Sequence, residues 1–437
     1  AQGLTNAVAK LQDDGERLAR LGQLRALAEA HPGEPEVRLE LAKGLTNAVG
    51  KLQDDGERRK RLEELRALAE AHPGEPEVRL ELAKGLTNAV AKLQDDGERL
   101  ARLEELRALA EAHPGEPEVQ LELAKALFNA THGRETTPEG RAALEELRAL
   151  AEAHPGEPEV RLLLAKGLYN ATHGRETTPE GRAALEQLRA LAEAHPGEPE
   201  VRLELAKGLY NATHGRETTP EGRAALEQLR ALAEAHPGEP EVRLELAKGL
   251  TNAVLEVQDD GERRKRLEEL RALAEAHPGE PEVRLVLAKG LTNAVLEVQG
   301  DGERLERLEE LRALAEAHPD EPEVRLELAK GLTNAVAKLQ DDGERRKRLG
   351  QLRALAEAHP GEPEVRLRLA MGRASMAVHA FNRGDHAGFL DWMREAWWTT
   401  DPPAPEVAGV LEQAVRTGQV DEYDVRTILG KPGDDRG

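Results

Sequence analysis

The chain has 437 residues and a net charge of −22; 39% of its residues are hydrophobic, 33% charged and only 2% aromatic. So few aromatics are too few for an ordinary enzyme core, and the dominance of Ala, Leu, Glu and Arg belongs to helical repeats or coiled coils. The acidic balance argues against nucleic acid and anionic membrane surfaces as direct partners, because both would repel the chain.

The absence of cysteine excludes disulfides, thiolate metal sites and a cysteine nucleophile. No apolar run approaches the ~18–20 residues that crossing a bilayer requires, so no membrane insertion is expected. No signal peptide is expected, and a cytoplasmic location is the expectation. Basic runs such as Arg58-Arg59-Lys60-Arg61 are flanked by Glu. They read as a solvated helix face with i,i+4 ion pairs.

In chain order, Ala1-Gln2-Gly3-Leu4-Thr5-Asn6 matches Ala42-Lys43-Gly44-Leu45-Thr46-Asn47, the middle of a repeat. Residues 1–34 therefore read as a partial N-terminal repeat, with further sequence expected upstream. A His-Pro step then recurs from His31 to His359 at a constant spacing of 41 residues. An unbroken period of that size predicts identical supersecondary units stacked in one dimension. Eight such units fill 35–362.

Pro35 suits the first turn of a helix, where a missing N–H costs nothing. Helix A then carries Val37, Leu41, Leu45, Ala48 and Leu52 on one face, with Leu39, Ala42 and Val49 as a second strip. After Gln53-Asp54-Asp55-Gly56, where either Asp can cap the next helix, helix B carries Leu62, Leu65, Leu68, Ala69 and Ala71. It stops at His72-Pro73, since the residue before a proline is biased away from helix. Three central units replace the turn with Thr131-His132-Gly133-Arg134-Glu135-Thr136-Thr137-Pro138-Glu139 and its copies from Thr172 and Thr213. Thr137 before Pro138 is the stronger helix start signal.

The segment Ala67-Leu68-Ala69-Glu70-Ala71-His72-Pro73, followed by Leu82-Ala83, resembles the tetratricopeptide repeat. The resemblance extends from residue 1 to about 400, and looks most like the long-helix, high-identity bacterial class of such repeats. The departures are a unit of 41 residues, Arg38 where the family favours tryptophan, and Leu45 where it favours tyrosine. What the resemblance implies is an all-α solenoid, a right-handed superhelix with helix A on its concave side, and a role in protein recognition.

From Met371 the consensus fails, and six of the nine aromatics lie beyond it. Residues 363–437 read as a divergent last repeat and C-terminal cap, with helices around 404–417 and 420–429. A hydrophobic lid is the favoured role, with self-association through the ends as the alternative.

The candidate site lies on helix A. At 100° per residue, Glu36, Glu40, Lys43 and Asn47 fall within roughly 60° of each other. Stacking repeats them as a lysine ladder and an asparagine ladder, whose amides can pair with the backbone of an extended peptide; the alternative is that each Asn bonds an adjacent helix and each Lys pairs with Glu36 or Glu40. Copying cannot explain the positions that vary. Thr46 becomes Phe128, Tyr169 and Tyr210 in the three units with the altered turn, and Glu40 becomes Leu163 in the middle one. These four, flanked by Lys125, Lys166, Lys207 and Asn129, Asn170, Asn211, form the expected partner-binding centre. Packing against the altered turn would explain the aromatics equally well.

No catalytic constellation, metal site or cofactor motif is evident, and the histidine ladder is too widely spaced to share an ion. The expected function is protein–protein interaction, with a peptide or protein partner held in the concave groove. The alternatives are a structural spacer or self-assembly scaffold, and the sensor arm of a multidomain bacterial switch.

Overall fold

The computed structural model describes residues 1–418 and 420–430. Among them are twenty-two α-helices and no strand: an all-α repeat solenoid in which helices pack on their near neighbours in sequence. The chain divides into two compact units, Ala1–Asn211 and Ala212–Gly437.

The first unit holds α1 (Gln2–Lys10), α2 (Asp14–Ala30), α3 (Pro35–Lys51), α4 (Asp55–Ala71), α5 (Pro76–Lys92) and α6 (Asp96–Ala112). It continues with α7 (Pro117–Thr131), α8 (Pro138–Ala153), α9 (Pro158–Thr172), α10 (Pro179–Ala194) and α11 (Pro199–Thr213), in which the boundary falls. Odd-numbered helices are the A helices of the repeat and even-numbered ones the B helices.

Local chemistry sets these bounds. α3 begins on Pro35 with no side-chain cap, while α4 begins where the Asp54 carboxylate accepts the Glu57 N–H at 2.8 Å. α4 ends at His72, ahead of Pro73. Leu41, Ala42, Leu45, Ala48 and Val49 of α3 are all buried, as are Leu62 and Leu65 of α4. Both apolar strips of helix A thus meet a neighbour.

Three polar joints recur between successive repeats, though not at every step, since Phe128, Tyr169 and Tyr210 replace the threonine of the first and Gln120 the arginine of the second. Thr46 Oγ1 donates to the Glu81 carbonyl at 3.0 Å, linking A helix to A helix. Arg38 bonds Pro32 O at 2.9 Å and the Glu75 carboxylate, and Arg79–Glu116 and Arg161–Glu198 repeat that joint. Arg66 grips Glu105 with two bonds of 2.6 Å, linking B helix to B helix. These are directional contacts that fix register, where apolar packing alone would allow sliding.

The basic runs are not solvated throughout, which corrects the expectation above. Arg58 is 6% exposed; its Nε donates to Val49 O at 3.0 Å and its Nη2 to Leu52 O at 2.5 Å. The last carbonyls of an α-helix have no intrahelical donor, and this guanidinium supplies two. Arg61 is also buried, paired with Glu57 and Glu64, whereas Lys60 is exposed and the half-buried Arg59 reaches Glu98 at 2.8 Å.

The second unit continues with α12 (Pro220–Ala235), α13 (Pro240–Glu256), α14 (Asp260–Ala276), α15 (Pro281–Glu297), α16 (Asp301–Ala317), α17 (Pro322–Lys338) and α18 (Asp342–Ala358). Its A helices carry the same arginine joint, Arg243–Glu280, Arg284–Glu321 and Arg325–Glu362. The end departs from the repeat, with α19 (Pro363–Asn382), α20 (His386–Trp397), α21 (Pro405–Arg416) and α22 (Glu422–Leu429). Here Phe389, Met393, Val407, Leu411 and Ile428 form one core with Ala370, Ala374 and Ala377 of α19, and Trp392 and Trp397 pack against it. Trp398 donates its indole N–H to Ile428 O at 3.2 Å. Tyr423 stands 77% exposed.

Candidate functional site

The three altered turns are built around glycine. Gly133 adopts φ +72°, a region costly for any residue with a Cβ. At Gly140 a Cβ would stand 2.1 Å from Arg134 O. Thr137 Oγ1 accepts the Gly140 N–H at 3.0 Å, the cap expected from sequence. Glu135 accepts the Gly133 N–H at 2.9 Å and meets Arg175 of the next turn at 3.1 Å. Burial works against the Glu135 carboxylate, yet those N–H groups and Arg175 hold it below the ordinary carboxylate range.

Each altered turn also places a histidine one helical turn beyond the aromatic position. The Phe128 and His132 ring centroids are 6.3 Å apart, and those of Tyr169 and His173 are 6.0 Å apart. The same histidines meet the asparagine ladder of the following helix. Asn170 Nδ2 lies 3.3 Å from His132 Nδ1, and Asn211 Nδ2 lies 2.9 Å from His173 Nδ1. The amide donates when that ring nitrogen is unprotonated. Asn129 follows a common turn, which has no such histidine, and its side chain makes no hydrogen bond among the described residues.

Phe128, Leu163, Tyr169, Tyr210, Lys125, Lys166, Lys207, Asn129, Asn170 and Asn211 are all half-buried. Phe128 leans on α9, its Cδ2 4.0 Å from where a Cβ on Gly167 would lie. In the register that sets Thr46 on Glu81, Phe128 stands opposite Leu163 and Tyr169 opposite Glu204. Phe128 and Tyr169 thus lie between consecutive A helices, and all three aromatics are partly accessible.

The lysine ladder is mostly neutralised in place. Lys43–Glu40 and Lys207–Glu204 pair at 2.9 Å, and Lys84–Glu81 and Lys125–Glu122 at 2.7 Å. Glu81, Glu122 and Glu204 are buried beneath these lysines, so this part of the polar stripe is not open to solvent. Lys166 differs. Leu163 stands where its glutamate would be, and Lys166 has neither an ion pair nor a hydrogen bond among the described residues. In the second unit Val286 leaves Lys289 in the same condition, without an aromatic beside it.

No family model and no curated protein matches this chain.

Leu163 is not a packing consequence of Phe128. Tyr169 has a glutamate opposite it, and Val286 stands opposite Thr251, whose hydroxyl reaches its carbonyl at 3.3 Å. Each change occurs without the other, so the lysine is released independently of the aromatic. The signal for this was present in sequence as a glutamate missing three residues before a lysine. The histidine–asparagine contacts were not anticipated, because they join residues 38 apart across two repeats. Among the described residues no cluster of three or more potential ligand side chains could hold a metal, and no helix is long and apolar enough to cross a membrane.

Proposed function

We propose that this chain is a protein-recognition module of tetratricopeptide-like construction, which holds an extended peptide along the A helices of its first unit, centred on α7, α9 and α11. The observation that carries this reading is the uncompensated Lys166 between Leu163 and Tyr169. A chain of net charge −22 neutralises the other ladder lysines of that unit and leaves this one open, beside half-buried aromatic and aliphatic side chains. A cation flanked by apolar groups suits a peptide with an acidic residue among apolar ones, and aromatic anchors at such a centre concentrate binding energy. Asn129, with its amide unoccupied, supplies a donor and acceptor for peptide backbone.

The test is selection of random peptides on the whole chain, followed by affinity measurements on Phe128→Thr/Tyr169→Thr/Tyr210→Thr. Thr at 128 can donate to the Leu163 carbonyl as Thr46 does to Glu81, so the fold should persist. Loss of the aromatic anchors should weaken selected peptides about thirtyfold, near 2 kcal/mol. Unchanged affinity would refute the reading.

A further inference from the structure

In the common repeat the arginine in the first turn of helix B caps the preceding helix A. Arg17 donates to Val8 O at 3.1 Å, Arg58 to Val49 O at 3.0 Å, Arg263 to Val254 O at 3.1 Å and Arg345 to Val336 O at 3.2 Å. Arg304 does the same, to Val298 O at 2.5 Å. Arg99 is the exception. Its guanidinium bonds only the Asp96 carboxylate and reaches no carbonyl of α5.

The reason lies one repeat further on, where the common turn gives way to the altered one. Arg134 of that turn comes to 3.2 Å from the same Asp96. Two guanidinium groups therefore share one carboxylate, whose own side chain is 78% exposed. Burial, and then the charge of Arg134, make the charged form of Arg99 less favourable than usual.

Beside this pair, between α6 and α8, lies a cavity of ≈ 640 Å³, a volume that suits a small molecule. Its apolar wall includes Leu100, Leu103, Ala142 and Ala143, with Leu100 45% exposed. On the α8 side the wall is made of small residues, with Ala143 standing where α6 has Arg102 and α4 has Arg61. Of the other charges on the lining, Arg107 and Glu146 cancel through two bonds of 2.7 Å, and Glu139 is an exposed first-turn residue of α8.

We propose that this cavity binds a small aliphatic carboxylate, its tail against Leu100, Leu103, Ala142 and Ala143 and its head group between Arg99 and Arg134. A carboxylate is the anion that fits. With Asp96 in place it makes two carboxylates for two guanidiniums, so that each can have a pair of acceptors, which the one shared Asp96 cannot supply to both. A single negative charge matches what Asp96 now contributes, whereas a dianion would add repulsion from Glu139 and Glu146. The site lies among B helices, apart from the peptide surface proposed above, and does not depend on it.

The experiment is calorimetric titration of the whole chain with octanoate and decanoate, alongside 1-octanol and octylammonium of matching tail. The carboxylates should bind and the neutral and cationic tails should not. Arg99→Leu and Arg134→Gln should each weaken binding at least about tenfold. Both side chains bond only Asp96, so melting should hold. Ala142→Phe, which fills the cavity and leaves both arginines, should abolish binding. Absence of carboxylate binding overturns the proposal, as does equal binding of octanol or full retention in Ala142→Phe.

Discussion

The carboxyl groups of Glu217 and Glu256 face each other in the second unit, where the last altered turn meets a helix of the common kind. In the earlier turn the equivalent Glu135 meets Arg175. The corresponding position after Glu217 holds Val257, so no arginine follows. Glu217 is 4% exposed; its Oε2 accepts the Arg216 N–H at 2.8 Å, and no donor reaches Oε1.

Burial, and then the Glu256 carboxyl, push Glu217 from an ordinary 4.5 up to about 8. Between those values the folded unit retains a proton that the unfolded chain has released. The stability that this group contributes is therefore full at low pH and falls as pH rises towards 8, by at most about 1.4 kcal/mol per pH unit. Glu217→Gln, which donates to Glu256 without titrating, should remove that fall. Urea denaturation of both proteins at pH 6 and pH 9 checks this, and parallel losses in the two would rule it out.

The altered turn makes a sharper demand on backbone. Gly140→Ala would drive a Cβ to 2.1 Å from the Arg134 carbonyl, which cannot move without breaking the Thr137 cap. Gly133→Ala meets no atom within 4 Å and bears only the φ of +72°. Thermal melts should rank them clearly, with Gly133→Ala costing about 1 kcal/mol and Gly140→Ala 3 or more, on the order of a core deletion. Equal costs would mean that the turn is softer than its geometry.

Removing α20–α22 should expose Ala370, Ala374 and Ala377 together with Phe381, which now pack beneath Phe389 and Met393. An unpartnered apolar face of that kind favours association. Sedimentation should show a monomeric whole chain and concentration-dependent oligomers after the truncation. A truncated chain that stays monomeric would show that the cap shields nothing sticky.

Helix placement was largely legible in sequence, because Pro35, Asp54 and His72-Pro73 act within one or two residues of where they stand. The helices expected around 404–417 and 420–429 are α21 and α22, shorter by a residue or two at their ends. What could not be read there depends on a second repeat. Arg58 looks like one more surface charge until helix A delivers Val49 O and Leu52 O to it. Asn170 and Asn129 look alike, and only the preceding turn decides which of them meets a histidine. The isolation of Lys166 needs no second repeat: the pairing of ladder lysines with the glutamate three residues before them is local, and Leu163 visibly removes that glutamate, while Glu81, Glu122 and Glu204 do pair with theirs.

The joints between repeats also constrain how such a chain can change length. Thr46 bonds a residue 35 positions on, Arg38 one 37 on and Arg66 one 39 on, each landing in the next copy of a 41-residue period. Excise one whole period between two common-turn repeats, and every donor finds the acceptor it had before. Excise forty residues, and each of those bonds is offered to the wrong neighbour at once. Recombination between the nearly identical copies therefore yields foldable products only in whole steps. The mixed junctions are less free. Arg99 beside Arg134, and Glu217 beside Glu256, mark the two borders of the altered block, and a crossover there would create or erase a carboxylate cavity or a shared proton along with a repeat.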